Sequence, residues 1–404
     1  MHYGRKCLRN NNVFFFDRLA NGYIVVLLIL FFAALLFDCF PLRYSKIIKL
    51  MAYIFLCVIL AFFIGSRENT GYDYFSYEEI FKQIQGYNSF TQLIHSRMLF
   101  NFEPGYVLLN FAFKYSNFRV FLFFCASLSL VPKCAYFYCR TKHSFVALLY
   151  AYCSIFLMYD MGVIRQAIAM GICLWAMDAY AHRKMKAYFI LLLVACAFHV
   201  SSLSLLLLLL TGRIKHSYIF YLLILFAGGV VAILHPLKLV SGNYATDANG
   251  YVTIASKIIY YATAYLETAT WKTIAKSIIK RLIVFVLVYN ISIHTDDLAR
   301  EKYQLIWTNI NAFFLSIVLS IFLTDIPIIA GRGTAMLQSS QVILLSNCMD
   351  LNYKRTKGIY DDGNGTSNII LFIIIVIFSF LNFKGLMSEA DYLQYHSFLL
   401  NNTK

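Results

Sequence analysis

The sequence predicts an all-α integral membrane protein, a polytopic bundle of about 11 to 13 transmembrane helices. Its 404 residues are 60% hydrophobic and 14% charged, with a mean hydropathy of +0.66, whereas a soluble domain carries roughly 25% charged residues. The apolar residues are gathered into runs close to the roughly 20 residues that cross a bilayer as a helix. A transmembrane barrel would instead alternate apolar and polar residues in segments of about ten, and no such pattern is present.

The helices are predicted over the apolar runs. In chain order these are Tyr23–Phe40, Ile47–Gly65, Phe118–Tyr138, Phe145–Met158, Val163–Ala181, Tyr188–Phe198, Ser201–Leu210, Tyr218–Leu234, Ile274–Ile293, Leu305–Leu323, Thr334–Cys348 and Ile369–Phe383. Glu103–Lys114 is predicted to be a half-helix or re-entrant segment. The two runs on either side of His199 are predicted to be short helices that meet there, because basic loops flank both outer ends. The whole chain, 1–404, is predicted to be one membrane domain.

Basic loops predict the orientation, because cytoplasmic loops carry an excess of Lys and Arg. The strongest cytoplasmic loops are 140–143, 182–186, 213–216 and 354–357. Segments 66–102 and 235–272 are predicted to be external loops, and the tail 384–404 is predicted to lie along the membrane surface. The N-terminus leaves two alternatives, since the basic residues among its first ten favour the cytoplasm, whereas the downstream pattern places residue 1 outside.

Several classes of function are not supported. The formal net charge of +15 comes from basic clusters between apolar runs, so no nucleic-acid partner is expected. The ten cysteines form no Cys-x-x-Cys pair and lie mostly in apolar runs, as small buried side chains do. No phosphate-binding P-loop, zinc-protease motif or nucleophile elbow is present. We therefore expect no cofactor and no metal.

Arg67 is the first candidate site residue. It follows the end of a predicted helix and precedes Gly71-Tyr72-Asp73-Tyr74. A guanidinium binds phosphate in bidentate fashion, and Asp and Tyr side chains are suited to sugar hydroxyls. The alternative is that Arg67 extends to the membrane interface beside Glu68.

Arg165 is the second candidate, at the external start of the helix predicted over Val163–Ala181. A charge at the membrane edge is costly and therefore indicates function. A helix N-terminus adds partial positive charge and free N–H donors, which suits an anion. The alternative is a simple ion pair with Asp160, five residues earlier.

His199 and Arg332 complete the set. His199 lies at the break between two short apolar runs, where it could act as a base or hydrogen-bond donor, or be a satisfied structural histidine. Arg332 lies between Gly331 and Gly333 at the external start of another predicted helix. Its alternative role is capping and interface anchoring.

Four motifs in this order resemble the EpsG family of Wzy-type polysaccharide polymerases. They are Arg67 with Gly71-Tyr72-Asp73-Tyr74 and Tyr77, Glu103-Pro104-Gly105-Tyr106, Arg165-Gln166-Ala167-Ile168-Ala169 and Phe198-His199-Val200-Ser201-Ser202-Leu203. The resemblance implies a GT-C-like glycosyltransferase of the bacterial inner membrane. Such an enzyme joins undecaprenyl-diphosphate-linked repeats at the periplasmic face to build O-antigen or capsule.

The resemblance and the residues together suggest a chemistry. The growing chain on its lipid diphosphate is the donor, and the next lipid-linked repeat supplies the hydroxyl that attacks the anomeric carbon. Arg67, Arg165 and Arg332 are predicted to bind the diphosphates, and Arg165 also neutralises the leaving group. His199 is the preferred base or acceptor-orienting group, with Asp73 and Glu103 as rivals. The bilayer and a chain-length regulator are the further partners.

Two other classes stay open. A flippase or exporter of lipid-linked oligosaccharides would also need many helices and a basic cavity, although the inverted repeats common in transporters are not visible. An O-antigen ligase would share the external arginines and histidine. The enzyme interpretation requires Arg67, Arg165 and His199 to meet in one place outside the cytosol.

Overall fold

The computed structural model describes residues 22–40, 44–96, 102–234, 271–293, 295, 298–324, 327–357, 364–388 and 395–397. Within these residues the regular structure is helical and contains no strand. The first helices are α1 (Gly22–Ala34, continued by a π-helical segment Leu35–Cys39), α2 (Lys46–Gly65), α3 (Tyr74–Gln85), α4 (Phe90–Ile94), α5 (Pro104–Ala112), α6 (Phe118–Arg140), α7 (Ser144–Ala151, continued by a π-helical segment Tyr152–Asp160) and α8 (Ile164–Ala181).

The later helices follow the same pattern of apolar segments. They are α9 (Met185–Phe198), a 3₁₀ segment (Val200–Leu207) that leads into α10 (Leu208–Thr211), α11 (Tyr218–Leu234), α12 (Trp271–Ser292), α13 (Arg300–Phe322), α14 (Pro327–Gln338), α15 (Ser340–Lys357) and α16 (Asn364–Leu386). Helices α8 and α13 lie at the centre of the bundle and are buried over most of their length.

Five helices are long and apolar enough to cross a membrane: Gly22–Cys39, Lys46–Gly65, Phe118–Arg140, Arg300–Phe322 and Asn368–Leu386. Shorter apolar helices accompany them: Ser144–Asp160, Met185–Phe198, Val200–Thr211 and Tyr218–Leu234. The predicted all-α polytopic membrane bundle is therefore confirmed.

The chain turns at short breaks that the sequence predicted. Helix α9 ends at Phe198, and the next segment begins at Val200, so two short helices do meet at His199. Glu103–Lys114 contains the short helix α5, which begins at Pro104, a residue whose fixed φ suits the first helical position. The two features pack together, because a Cβ added at Gly105 would lie 2.7 Å from the Ala197 carbonyl oxygen.

One predicted helix is wrong. The run Thr334–Cys348 was expected to be a single helix, but α14 ends at Gln338 and α15 begins at Ser340. The hydroxyls of Ser339 and Ser340 each donate to a backbone carbonyl three residues earlier, at 2.6 Å. Serine hydroxyls compete in this way with the helical ladder. Arg332 consequently lies inside α14 rather than at a helix start.

The predicted external loop 66–102 contains two helices within its described residues. Its residues up to 96 contain α3 and α4, and α3 buries Tyr77, Ile80, Phe81 and Ile84 at helical spacing. These side chains form a second hydrophobic cluster with Tyr106 and Phe121, among others. The amphipathic helix α3 is thereby fixed over the start of α8, which positions the site.

The structure describes only part of the remaining predicted segments. Most of the external loop 235–272, as well as residues 97–101, lies outside the described residues. In the tail, Tyr395 donates a hydrogen bond to the Phe63 carbonyl at 2.6 Å, and Ser397 pairs with Arg67 through the backbone. This part of the tail packs against the end of α2.

Candidate functional site

Five of the residues selected from the sequence lie close together: Asp73, Glu103, Arg165, His199 and Arg332. We call them the polar cluster. Each belongs to a different segment and is partly exposed rather than fully buried. His199 has Glu103, Arg165 and Arg332 as electrostatic neighbours, and Asp73 pairs with Arg332. Four members of the cluster lie at helix ends or breaks, whereas Arg332 lies within α14.

The first pair in the cluster is Arg165 with Glu103. Arg165 is the second residue of α8, and its Nη1 donates to a carboxylate oxygen of Glu103, the residue before α5. The guanidinium carbon also lies 5.6 Å and 5.7 Å from the ring centres of Phe102 and Tyr106, a cation–π arrangement. Burial raises the pKa of Glu103, but Arg165 and His199 outweigh it, so that the pKa lies below its ordinary value.

The expected alternative partner of Arg165 is engaged elsewhere. Asp160 accepts from Lys133, whose Nζ lies 2.6 Å and 2.8 Å from the two carboxylate oxygens. Ser129 lies 2.8 Å from the same ammonium, and both charged side chains are 0% exposed. This buried pair fixes the end of the π-helical segment just before Met161 and Gly162.

The second pair in the cluster is Arg332 with Asp73. Nη2 of Arg332 lies 3.4 Å from both carboxylate oxygens of Asp73, so this contact is looser than a normal charged hydrogen bond. Asp73 is held by its backbone, which donates to the Gly162 carbonyl at 3.2 Å. Gly71 has φ +103°, and a Cβ there would lie 2.3 Å from the Met161 carbonyl oxygen. Only glycine fits this approach.

His199 lies within electrostatic range of both pairs. The Ser201 backbone N–H donates to its Nδ1 at 3.2 Å, and the Ser201 hydroxyl lies 2.7 Å from the same nitrogen. A neutral imidazole that accepts at Nδ1 carries its proton on Nε2. His199 is therefore set to donate from Nε2.

Gln166 and Tyr77 belong to the site but were given no role from the sequence. Gln166 is fully buried, and its amide donates to the Arg332 carbonyl and contacts the Ser201 hydroxyl at 3.4 Å. Tyr77 is an electrostatic neighbour of Arg165, and burial raises its pKa to about 12, so that its hydroxyl stays protonated at neutral pH. A polar Gln beside Arg165 in an apolar helix was the available signal for Gln166.

Arg67 is not brought into the polar cluster. It is 1% exposed, its Nη1 donates to the Ile64 carbonyl at 2.8 Å, and Ser397 of the tail pairs with its backbone. Glu68, the expected interface partner, forms its ion pair with Arg119 at 2.8 Å instead. The tail covers Arg67 in this conformation, and its binding of a diphosphate stays a prediction.

The arrangement is suited to an anionic ligand. Two guanidiniums, a histidine N–H and the N-terminus of α8 converge on one region, and phosphate competes with carboxylate for the same bidentate geometry. Within the described residues, no group of three or more His, Cys, Asp or Glu side chains is arranged to hold a metal ion.

Comparison with known proteins identifies a family for this chain. The model of the EpsG family matches residues 50–397, which is most of the chain and includes every residue of the polar cluster. No curated protein and no solved structure matches the chain.

Proposed function

This chain belongs to the EpsG family, and we propose that it is a Wzy-type polysaccharide polymerase. It transfers a growing glycan from undecaprenyl diphosphate to the next undecaprenyl-diphosphate-linked repeat unit. The reaction takes place at the periplasmic face of the bacterial inner membrane. The family is associated with Wzy-type polymerases, and the multi-pass helical bundle suits substrates that stay in the bilayer.

The observation that carries this proposal is the pair of arginine–carboxylate contacts, Arg165 with Glu103 and Arg332 with Asp73, near His199. Glycosyl transfer from a lipid diphosphate releases a strongly anionic leaving group, which preorganised positive charges stabilise best. Arg165 and Arg332 supply those charges. Glu103 and Asp73 hold the two guanidiniums in place, and an incoming diphosphate competes with the carboxylates for them.

The chemistry assigns a role to each member of the cluster. The acceptor hydroxyl oxygen attacks the anomeric carbon, and the bond to the diphosphate oxygen breaks with its electron pair. Asp73 takes the hydroxyl proton, because its contacts with Arg332 at 3.4 Å are the looser ones and release the carboxylate most easily. His199 orients the acceptor or a phosphate oxygen through Nε2–H rather than acting as the base.

The experiment is complementation of a deletion strain, followed by gel analysis of its lipopolysaccharide. We expect the wild-type gene to restore a ladder of long chains, and Arg165→Ala to leave a single capped repeat although the protein is inserted at the normal level. Polymer that never reaches lipid A would indicate a ligase, and no repeat at the periplasmic face would indicate a flippase. A normal ladder from Arg165→Ala would remove the assignment.

A further inference from the structure

A second cationic position lies beside the polar cluster. Arg281 is near the middle of α12 and only 9% exposed. Its Nη1 donates to the Ser320 hydroxyl at 2.6 Å and contacts the Thr334 hydroxyl at 3.5 Å. Within the described part of the chain, no carboxylate pairs with it.

A buried guanidinium without an acidic partner is costly in a membrane protein. Burial of an unpaired charge is unfavourable, and ionisable residues at membrane depth almost always serve a site or a pathway. The two hydroxyls satisfy Nη1 but supply no counter-charge. An anionic ligand would supply it.

The position of Arg281 links it to the polar cluster. Thr334 follows Arg332 by two residues in the same helix, so the Nη1 contact is made on the turn that carries Arg332. Tyr159 is an electrostatic neighbour of both Arg281 and Arg332. Both guanidiniums therefore lie within electrostatic range of one buried tyrosine.

We propose that Arg281 binds a phosphate group of a lipid-borne diphosphate, and that with Arg332 it forms a second anion subsite next to the one at Arg165. The inference deepens the proposed function, because joining two lipid-linked repeats requires two diphosphates at once. Ser320 and Thr334 hold Nη1, and the opposite edge of the guanidinium, Nε with Nη2, donates no hydrogen bond to the described residues. That edge presents two parallel N–H donors, the geometry that binds phosphate in bidentate fashion.

The test is binding by the full-length protein in phosphatidylcholine nanodiscs, with inorganic diphosphate and undecaprenyl diphosphate as probes. We expect Arg281→Gln to weaken the binding of both probes by about tenfold or more. Without ligand, its Tm should equal or exceed that of the wild type, because an uncompensated buried charge has been removed. Arg281→Lys keeps the charge without the bidentate edge and should bind with intermediate affinity.

The matched control is Arg119→Gln, the same change at a half-exposed arginine paired with Glu68. It should leave diphosphate binding close to that of the wild type. Unchanged binding in Arg281→Gln, or a clear fall of its unliganded Tm, would overturn the proposal. So would an Arg281 effect that disappears when phosphatidylglycerol is added to the discs, since the subsite would then take lipid headgroups.

The two proposals fail in different ways. Diphosphate binding that depends on Arg281 in a protein that makes no polymer would leave the subsite standing and remove the polymerase. Polymer that depends on Arg165, together with diphosphate binding that does not depend on Arg281, would leave the polymerase standing and remove the subsite.

Discussion

Arg165 and Glu103, 62 residues apart in the sequence, form an ion pair in which the side chains are only 19% and 18% exposed. The pair joins the N-terminus of α8 to the start of α5. It also holds the guanidinium of Arg165 in one orientation. A preorganised charge of this kind does not have to be reorganised when the leaving group develops its own charge.

A double-mutant cycle on this pair is the first prediction. Glu103→Gln and Arg165→Gln each leave a partly buried charge without its partner, so each should lower the free energy of unfolding by about 1–3 kcal/mol. The double variant should regain part of that loss, because no unpaired charge remains. Thermal unfolding in detergent measures this.

The same variants separate stability from function. Only variants that keep Arg165 should make long chains, so the double variant is expected to be stable and inactive. Recovery of polymer in the double variant would show that Arg165 serves the fold alone.

The pH dependence of Glu103 is the second prediction. Burial raises the pKa of Glu103. The guanidinium of Arg165 is the main group that lowers it, and the net pKa lies below its ordinary value. A carboxylate with a lowered pKa contributes stability that is present at neutral pH and is lost as the pH falls below the ordinary value of about 4.3. The difference in Tm between wild type and Glu103→Gln should therefore be constant from about pH 6 to 8 and shrink in acid.

The control for this titration is Glu79→Gln, on the exposed side of α3. Its Tm should follow the wild type across the whole range. A wild-type advantage over Glu103→Gln that grows in acid would contradict the direction of the pKa shift.

Gly71 provides the third prediction. Its φ of +103° and the approach to the Met161 carbonyl leave no room for a Cβ. Gly71→Ala should cost about 1–3 kcal/mol of backbone strain and move Asp73 away from Arg332, so that polymer is lost. Gly229→Ala is the matched control, because nothing lies within 4 Å of a Cβ there and alanine favours the helix. Equal behaviour of the two variants in Tm and polymer length would exclude this role for Gly71.

The sequence predicts where helices end better than which side chains then meet. Glu103, Arg165 and His199 were recognisable because each is a polar residue at the end of an apolar run, where the backbone must leave the helical ladder. Their contacts were not predictable in the same way. The pairing of Asp73 with Arg332 spans 259 residues and depends on how α3 packs over α8.

Two features were not foreseen from the sequence, each for a local physical reason. Helix α3 alternates polar and aromatic residues within a segment that carries several acids, so the segment was assigned to the outside without a helix, although its buried face has helical spacing. Arg67 follows a helix end just as a site residue would. Its burial depends on the tail residue Ser397, which lies beyond every motif that drew attention to Arg67.

The fourth prediction concerns Lys133 and Asp160, which are fully buried and paired at 2.6 Å. Removing one partner leaves a charge in a low-dielectric environment, so Lys133→Met should lower the free energy of unfolding by about 3–5 kcal/mol. Replacing both, as Lys133→Met with Asp160→Leu, should restore most of that loss, because an apolar pair can fill the same space. Val131→Ala, an exposed position on the same helix, is the control.

Polymer formation by these variants tests the role of the buried pair of Lys133 and Asp160. Asp160 precedes Met161, which Gly71 approaches closely, and Gly162, whose carbonyl accepts from the Asp73 backbone, so the pair supports the site by fixing a backbone segment. If that is its whole role, the stable double variant should still make long chains. A double variant as stable as the wild type but unable to make polymer would instead require the Lys133 or Asp160 charge itself to take part in catalysis.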